Sequence, residues 1–158
     1  MFNRLKSLFV ALGLVVGLGT SVQAEETVLT LTHEGQTQTF DRNALEALGT
    51  STIETTTIWT KGTQVFEGVS LARLAQEIGA QDGTLLATAI NDYTVEIPLS
   101  DAVENGPILA MTMNGAEMSV RDKGPLWVVY PYDADAAFRT EVIYSRCIWQ
   151  LDRIEVVQ

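Results

Sequence analysis

Two groups of side chains have the types and spacing to hold a flat, polar molecule. The first is Asn91-Asp92-Tyr93, set between two apolar runs. An aspartate there can accept two N–H bonds at once from a guanidine-like edge, a bidentate geometry. The same residues also make an ordinary turn, because Asn and Asp bond their own backbone and tolerate positive φ. The second group is Leu126 to Asp133, a run holding Trp127, Tyr130 and Tyr132, together with Arg139, Tyr144, Ser145, Arg146 and Trp149; Trp59 stands alone earlier. Aromatic faces stack planar rings, and Arg and hydroxyl groups bind the substituents of such rings. Taken singly, most of these Trp and Tyr residues read equally well as core. Both readings stay open at this level.

Covalent and metal chemistry find less support. The chain has no Gly-rich phosphate loop, no nucleophile elbow and no pair of metal ligands at helical spacing. Its one histidine, His33, reads as a turn residue, and its one cysteine, Cys147, as a small buried side chain. The two lie far apart and form no zinc or Cys–His constellation. Asp and Glu number 20 against 10 Lys and Arg. That balance excludes nucleic acid, whose phosphates require cations, and it disfavours anionic lipid. It suits a soluble protein with a basic partner patch.

The elements expected to position these groups are short. Val28–Thr32 and Gln38–Phe40 alternate apolar and polar residues around a turn at residues 33–36, a hairpin. Asp41 caps a short helix with Leu45 and Leu48 on one face, stopped by Gly49. Ser51 to Trp59, rich in Thr and Ile, is expected as one strand. Ser70 caps a helix from Leu71 to Ile78, stopped by Gly79. Leu85–Ile90 and Tyr93–Ile97 read as strands. A short helical turn is expected from Ser100 to Asn105. Ile108–Met113 and Glu117–Val120 flank Asn114-Gly115, a strong hairpin sequence. Leu126–Tyr130, Glu141–Tyr144 and Cys147–Val157 complete the set as strands. The balance is α+β: a single mixed, strand-rich domain.

The amino terminus sets an expected compartment. Arg4 and Lys6 precede an uncharged apolar run from Leu8 to Leu18, and Val22-Gln23-Ala24 ends in a small-x-Ala pattern. This is the order of a secretory signal peptide cleaved after Ala24. The run is about 11 residues, short of the roughly 20 a membrane-spanning helix needs. Residues 1–24 would be removed. Residues 25–158 would form the mature domain, its formal charge moving from −10 to −12 with the loss of Arg4 and Lys6.

Five stretches carry a resemblance: Gln64–Leu74, Asn91–Pro98, Ile108–Met118, Gly124–Pro131, and Ile148-Trp149 with Ile154–Val156. In that order they resemble the molybdopterin-binding domain of sulfite-oxidase-like enzymes. The resemblance implies that family's fold. It departs where the enzymes ligate molybdenum through a cysteine, because Ile53–Trp59 contains none; Trp127 and Ile148 also replace basic residues. Asn91-Asp92-Tyr93, Arg121–Trp127 and Tyr144–Leu151 resemble more closely a family of small periplasmic pterin-binding regulators. That resemblance implies a binding protein rather than an enzyme. It also implies a reduced pterin as ligand, and as partner the periplasmic part of a membrane-bound cyclic di-GMP enzyme. On this reading the ring stacks on Trp59 or Trp149, with Tyr132 as a second wall. Asp92, beside Tyr93, receives the amino-pyrimidine edge, and Arg139, Ser145 and Arg146 contact the carbonyl or the tail. The alternative is a molybdopterin-dependent oxidoreductase with an unusual metal ligand set.

Overall fold

A computed structural model describes residues 26–158. The expected signal peptide and its cleavage point lie outside the described residues. Among the described residues ten strands form two five-stranded sheets. The first sheet has β1 (Leu29–His33), β2 (Gln36–Phe40), β5 (Thr84–Ala89), β6 (Thr94–Pro98) and β10 (Leu151–Val157), in the order β2-β1-β10-β5-β6. All its pairings are antiparallel except β1 with β10. The second has β3 (Ser51–Thr55), β4 (Gln64–Ser70), β7 (Ile108–Met113) and β8 (Ala116–Glu117) in sequence, with β9 (Trp127–Val129) also on β7. Three short helices accompany them: α1 (Arg42–Ala47), α2 (Leu71–Glu77) and α3 (Glu141–Ser145). Among the described residues no helix is long and apolar enough to cross a membrane.

Local chemistry explains the helices. The Asp41 carboxylate accepts the Ala44 N–H at 2.7 Å, and the Ser70 hydroxyl accepts the Arg73 N–H at 3.1 Å. Each satisfies a donor that a helix start leaves open. Their apolar faces, Leu45 on α1 and Leu71, Leu74 and Ala75 on α2, join a core that includes Leu29, Phe66, Leu109 and Leu151. One close approach fixes how β4 meets β7. The register shifts between Glu67 and Gly68, and a Cβ on Gly68 would lie 2.0 Å from the Leu109 carbonyl oxygen. Only glycine fits that bulge without moving the backbone.

Several expected elements are shorter or different. The strand starting at Ser51 ends at Thr55, not Trp59. The cause is remote: the Asp133 carboxylate accepts the Thr56 N–H at 2.6 Å and the Thr56 hydroxyl at 2.8 Å. Thr57 then accepts the N–H groups of Trp59 and Thr60 and turns the chain. Glu141–Tyr144 is helix rather than strand, because the Thr140 hydroxyl caps it by accepting the Ile143 N–H. The last strand starts at Leu151, since Gln150 sits at φ +53° and breaks the extended run. The strand after Asn114-Gly115 is only Ala116–Glu117. The helical turn after Pro98 is a three-residue 3-10 segment, Leu99–Asp101. His33 closes β1 rather than sitting in the turn.

The Asp133–Thr56 contact has a pH consequence. The Thr56 N–H, then the Thr56 hydroxyl, hold the Asp133 carboxyl below its usual range. A carboxyl depressed in the folded state stabilises the fold above its unfolded value of about 3.9, and that contribution is lost as pH falls through the lower folded value. Asp133→Asn should therefore lower the urea midpoint at neutral pH. It should also shrink the further drop on acidification to below pH 3. Equal acid sensitivity in the variant and the native protein would remove Asp133 from this account.

Candidate functional site

A cleft of about 370 Å³ opens where the turn after β3, the β5–β6 hairpin, α3 and the segment before β10 meet. Trp59, Asn91, Tyr93, Tyr144, Ser145, Trp149 and Gln150 line it, with Ala89, Cys147 and Ile148 at its base. Its size lies at the lower end for small-molecule sites. None of the lining residues carries a formal charge.

Trp59 is the hub of the aromatic wall. Its ring meets Trp127 at 5.9 Å, Tyr132 at 6.3 Å, Tyr144 at 5.9 Å and Trp149 at 5.7 Å between centroids, every pair edge-to-face. Such pairs are attractive because a ring's positive edge meets a negative face. The Trp59 and Trp149 planes stand 75° apart. A single flat ligand stacked on one of them therefore meets the other edge-on. Trp149 is placed by its neighbour: the Gln150 N–H donates to the Lys123 carbonyl at 3.0 Å and the Gln150 carbonyl accepts the Ile90 N–H at 2.9 Å. Tyr93 is placed by the hairpin. The Asn91 side chain accepts its N–H at 3.2 Å, and Asp92 turns the chain at φ +67°.

Of the residues singled out in the sequence, Trp59, Tyr93, Ser145 and Trp149 come together on the cleft. The others do not. Asp92 is largely exposed, and its carboxylate is paired with Arg153 across the first sheet. Arg146 binds Asp101 at 2.7 Å, and the same carboxylate oxygen accepts the Tyr130 hydroxyl at 2.7 Å. Arg139 follows the 3-10 turn Ala136–Phe138, where its charge acts on Asp133. Tyr132 is buried behind the wall, and its hydroxyl donates to Cys147 Sγ at 2.7 Å. Burial pushes the hydroxyls of both Tyr130 and Tyr132 well above their usual range, so both remain neutral donors. The sequence put Asn91 and Tyr144 in the two candidate clusters without giving either a contact to the ligand, and it did not single out Gln150, whose one signal was adjacency to Trp149.

Cys147 is buried, and desolvation pushes its thiol up to about 12, against smaller opposing effects of the Tyr132 hydrogen bond and the Arg146 charge. Its S–H donates to the Ile143 carbonyl at 3.1 Å. A thiol held protonated is neither a nucleophile nor a metal ligand at neutral pH. The native protein should resist iodoacetamide at pH 7.5 under conditions that fully alkylate the urea-unfolded chain. Rapid labelling of the native form would refute the buried, protonated assignment.

Exposed apolar side chains neighbour lining residues along the chain. Ile58 precedes Trp59, Ile90 precedes Asn91, Tyr93 is itself a lining residue, and the Val142 carbonyl accepts the Ser145 hydroxyl. Tyr93 and Ile58 are each 61% exposed.

Comparison with known families gives one match. The model described as oxidoreductase molybdopterin binding domain matches residues 20–136, from before β1 to the first residue of the 3-10 turn Ala136–Phe138. No curated protein matches the chain.

Proposed function

The chain belongs to the oxidoreductase molybdopterin-binding domain family, of the sulfite oxidase type, and on that scaffold we propose a binding protein for a reduced pterin that carries no metal. The observation supporting this is the cleft itself: aromatic walls, neutral polar edges and no formal charge.

The residues present do not fit a phosphorylated, metal-bearing molybdopterin. Soft metals in such cofactors want a thiolate, and the cysteine at the cleft holds its proton. Among the described residues no three His, Cys, Asp or Glu side chains gather as a metal site. A phosphate tail wants cations, yet Arg146 is committed to Asp101 and Arg153 to Asp92 and Asp152, and Lys123 lies over the Trp149 and Trp127 rings rather than among the lining residues.

A pteridine ring suits the same surface. Trp149 stacks it, Trp59 meets its edge, and Tyr93 covers the mouth. Asn91 keeps its amide donors, since its oxygen accepts the Tyr93 N–H, and Gln150 keeps its carbonyl acceptor, since its amide donates to Val120; together they match the carbonyl and N–H of a pyrimidinone edge. The Ser145 hydroxyl serves the tail. Asp92, paired outside the cleft, contributes to the hairpin rather than to the ligand. The exposure of Tyr93 at the cleft supports a further step. A partner seated there would feel whether the cleft is filled, provided the ligand binds the partner-competent form more tightly. By resemblance to periplasmic pterin-binding regulators, that partner is the periplasmic part of a membrane-bound cyclic di-GMP enzyme, and the protein acts in the periplasm.

The test is to purify the protein anaerobically from its native compartment and measure bound pterin by fluorescence and molybdenum by elemental analysis. Pterin without molybdenum is the expected result. Stoichiometric molybdenum would replace this reading with that of an oxidoreductase, and the absence of both would leave the cleft without its ligand.

A further inference from the structure

We propose that Lys123 makes the cleft discriminate between a reduced pterin and its oxidised form, acting through the Trp149 ring. The inference rests on the pterin reading above. Lys123 Nζ lies 4.2 Å from the Trp149 centroid and 5.2 Å from that of Trp127. Among the described residues it enters no salt bridge within 4.0 Å.

The main chain that carries Lys123 is held in place. The Lys123 carbonyl accepts the Gln150 N–H at 3.0 Å, and Gln150 Nε2 donates to the Val120 carbonyl at 2.6 Å. The Gly124 N–H closes the same turn on Ser119 at 2.9 Å. A Cβ at Gly124 would lie 1.7 Å from the Met118 carbonyl oxygen, so the turn depends on glycine there. The turn that carries Lys123 is thus stapled to the Trp149–Gln150 wall of the cleft.

A cation over one face of an indole draws π density toward itself. The opposite face then repels an electron-rich ring less. A tetrahydropterin is electron-rich, because its ring amines at positions 5 and 8 push density into the pyrimidinone. The fully oxidised ring has an electron-poor pyrazine instead. A Trp149 ring polarised by Lys123 therefore favours the reduced form, and it does so without a charged group in the cleft. Lys123 is a positioning residue, since it acts on the ligand only through Trp149.

The test is anaerobic calorimetry with 6-methyltetrahydropterin and 6-methylpterin on the full mature protein. The native protein should prefer the reduced form. Lys123→Met should cut the ratio of the two affinities by about threefold, the scale of an exposed cation–π contact, and Lys123→Arg should keep the ratio. In a Trp149→Ala background, Lys123→Met should leave the ratio unchanged. A merely structural role would weaken both ligands alike. An unchanged ratio in Lys123→Met, with binding intact, overturns the proposal but not the pterin reading; native protein that binds neither probe overturns both.

Discussion

Trp149→Ala should lower the affinity for a reduced pterin by about tenfold or more, with only a modest loss of stability. Stacking an aromatic heterocycle on an aromatic side chain is worth roughly 1–3 kcal/mol by alanine substitution, and about 1.4 kcal/mol is a factor of ten in affinity. Trp59→Ala should show the opposite balance. Its ring touches four others, so its removal opens a cavity in the wall at a cost approaching about 3 kcal/mol. Its edge-on contact with the ligand should matter less. Titration and thermal melts of both variants separate the two roles. Unchanged affinity in Trp149→Ala would defeat the stacking arrangement.

Asp101→Ala should be the most destabilising polar substitution in the domain. One carboxylate oxygen holds both Arg146 and the buried Tyr130 hydroxyl, each at 2.7 Å. The Asp101 and Arg146 side chains are only 17% and 22% exposed. Removing the acceptor strands a cation and a hydroxyl together, which costs more than the pair's net attraction. The expected loss is about 3 kcal/mol, toward the low end for a buried pair because water still reaches this one. It should lower the melting temperature by on the order of 10 °C. Arg146→Met should cost less, because Asp101 keeps Tyr130 as a donor. If the two variants melted alike, the hydroxyl would not share the brace. The cluster ties the 3-10 turn after β6 to α3, and α3 ends at Ser145 on the cleft, so a loosened brace should also weaken ligand binding.

Local chemistry was readable in the sequence. Asp41 and Ser70 announce their helices, Gly49 and Gly79 stop them, and Asn114-Gly115 turns β7 into β8, because each acts within four residues. What escaped depends on partners far along the chain. The Thr- and Ile-rich run after Ser51 has every local reason to continue to Trp59. It stops because Asp133, 77 residues on, captures Thr56. Asp92 has the chemistry of a ligand carboxylate, but Arg153, 61 residues on, takes it. Arg146 is likewise spent on Asp101, 45 residues back. For α3 the apolar run was too short to show a period, and Val142 and Ile143 favour strand; Thr140 as a cap was the only clue. The aromatic part of the site was legible because rings crowd together wherever a core or a ligand wants them. Its polar part was not, because a charged side chain's partner is a matter of three-dimensional placement.

The parallel pairing of β1 with β10 imposes an order of events on biosynthesis. β10 is the middle strand of the first sheet and the last of the described strands. Until the ribosome has released Val157, the β1–β2 and β5–β6 hairpins have nothing between them, and the base of the cleft at Ala89 lacks its neighbour Leu151. Nascent chains are thus kept from closing early, a property that suits any route requiring an unfolded polypeptide to be threaded before it sets. It also makes β10 the vulnerable strand: loss of Leu151–Val157 parts the β1–β2 hairpin from the β5–β6 hairpin, whereas a nick in the β1–β2 turn leaves every strand in place.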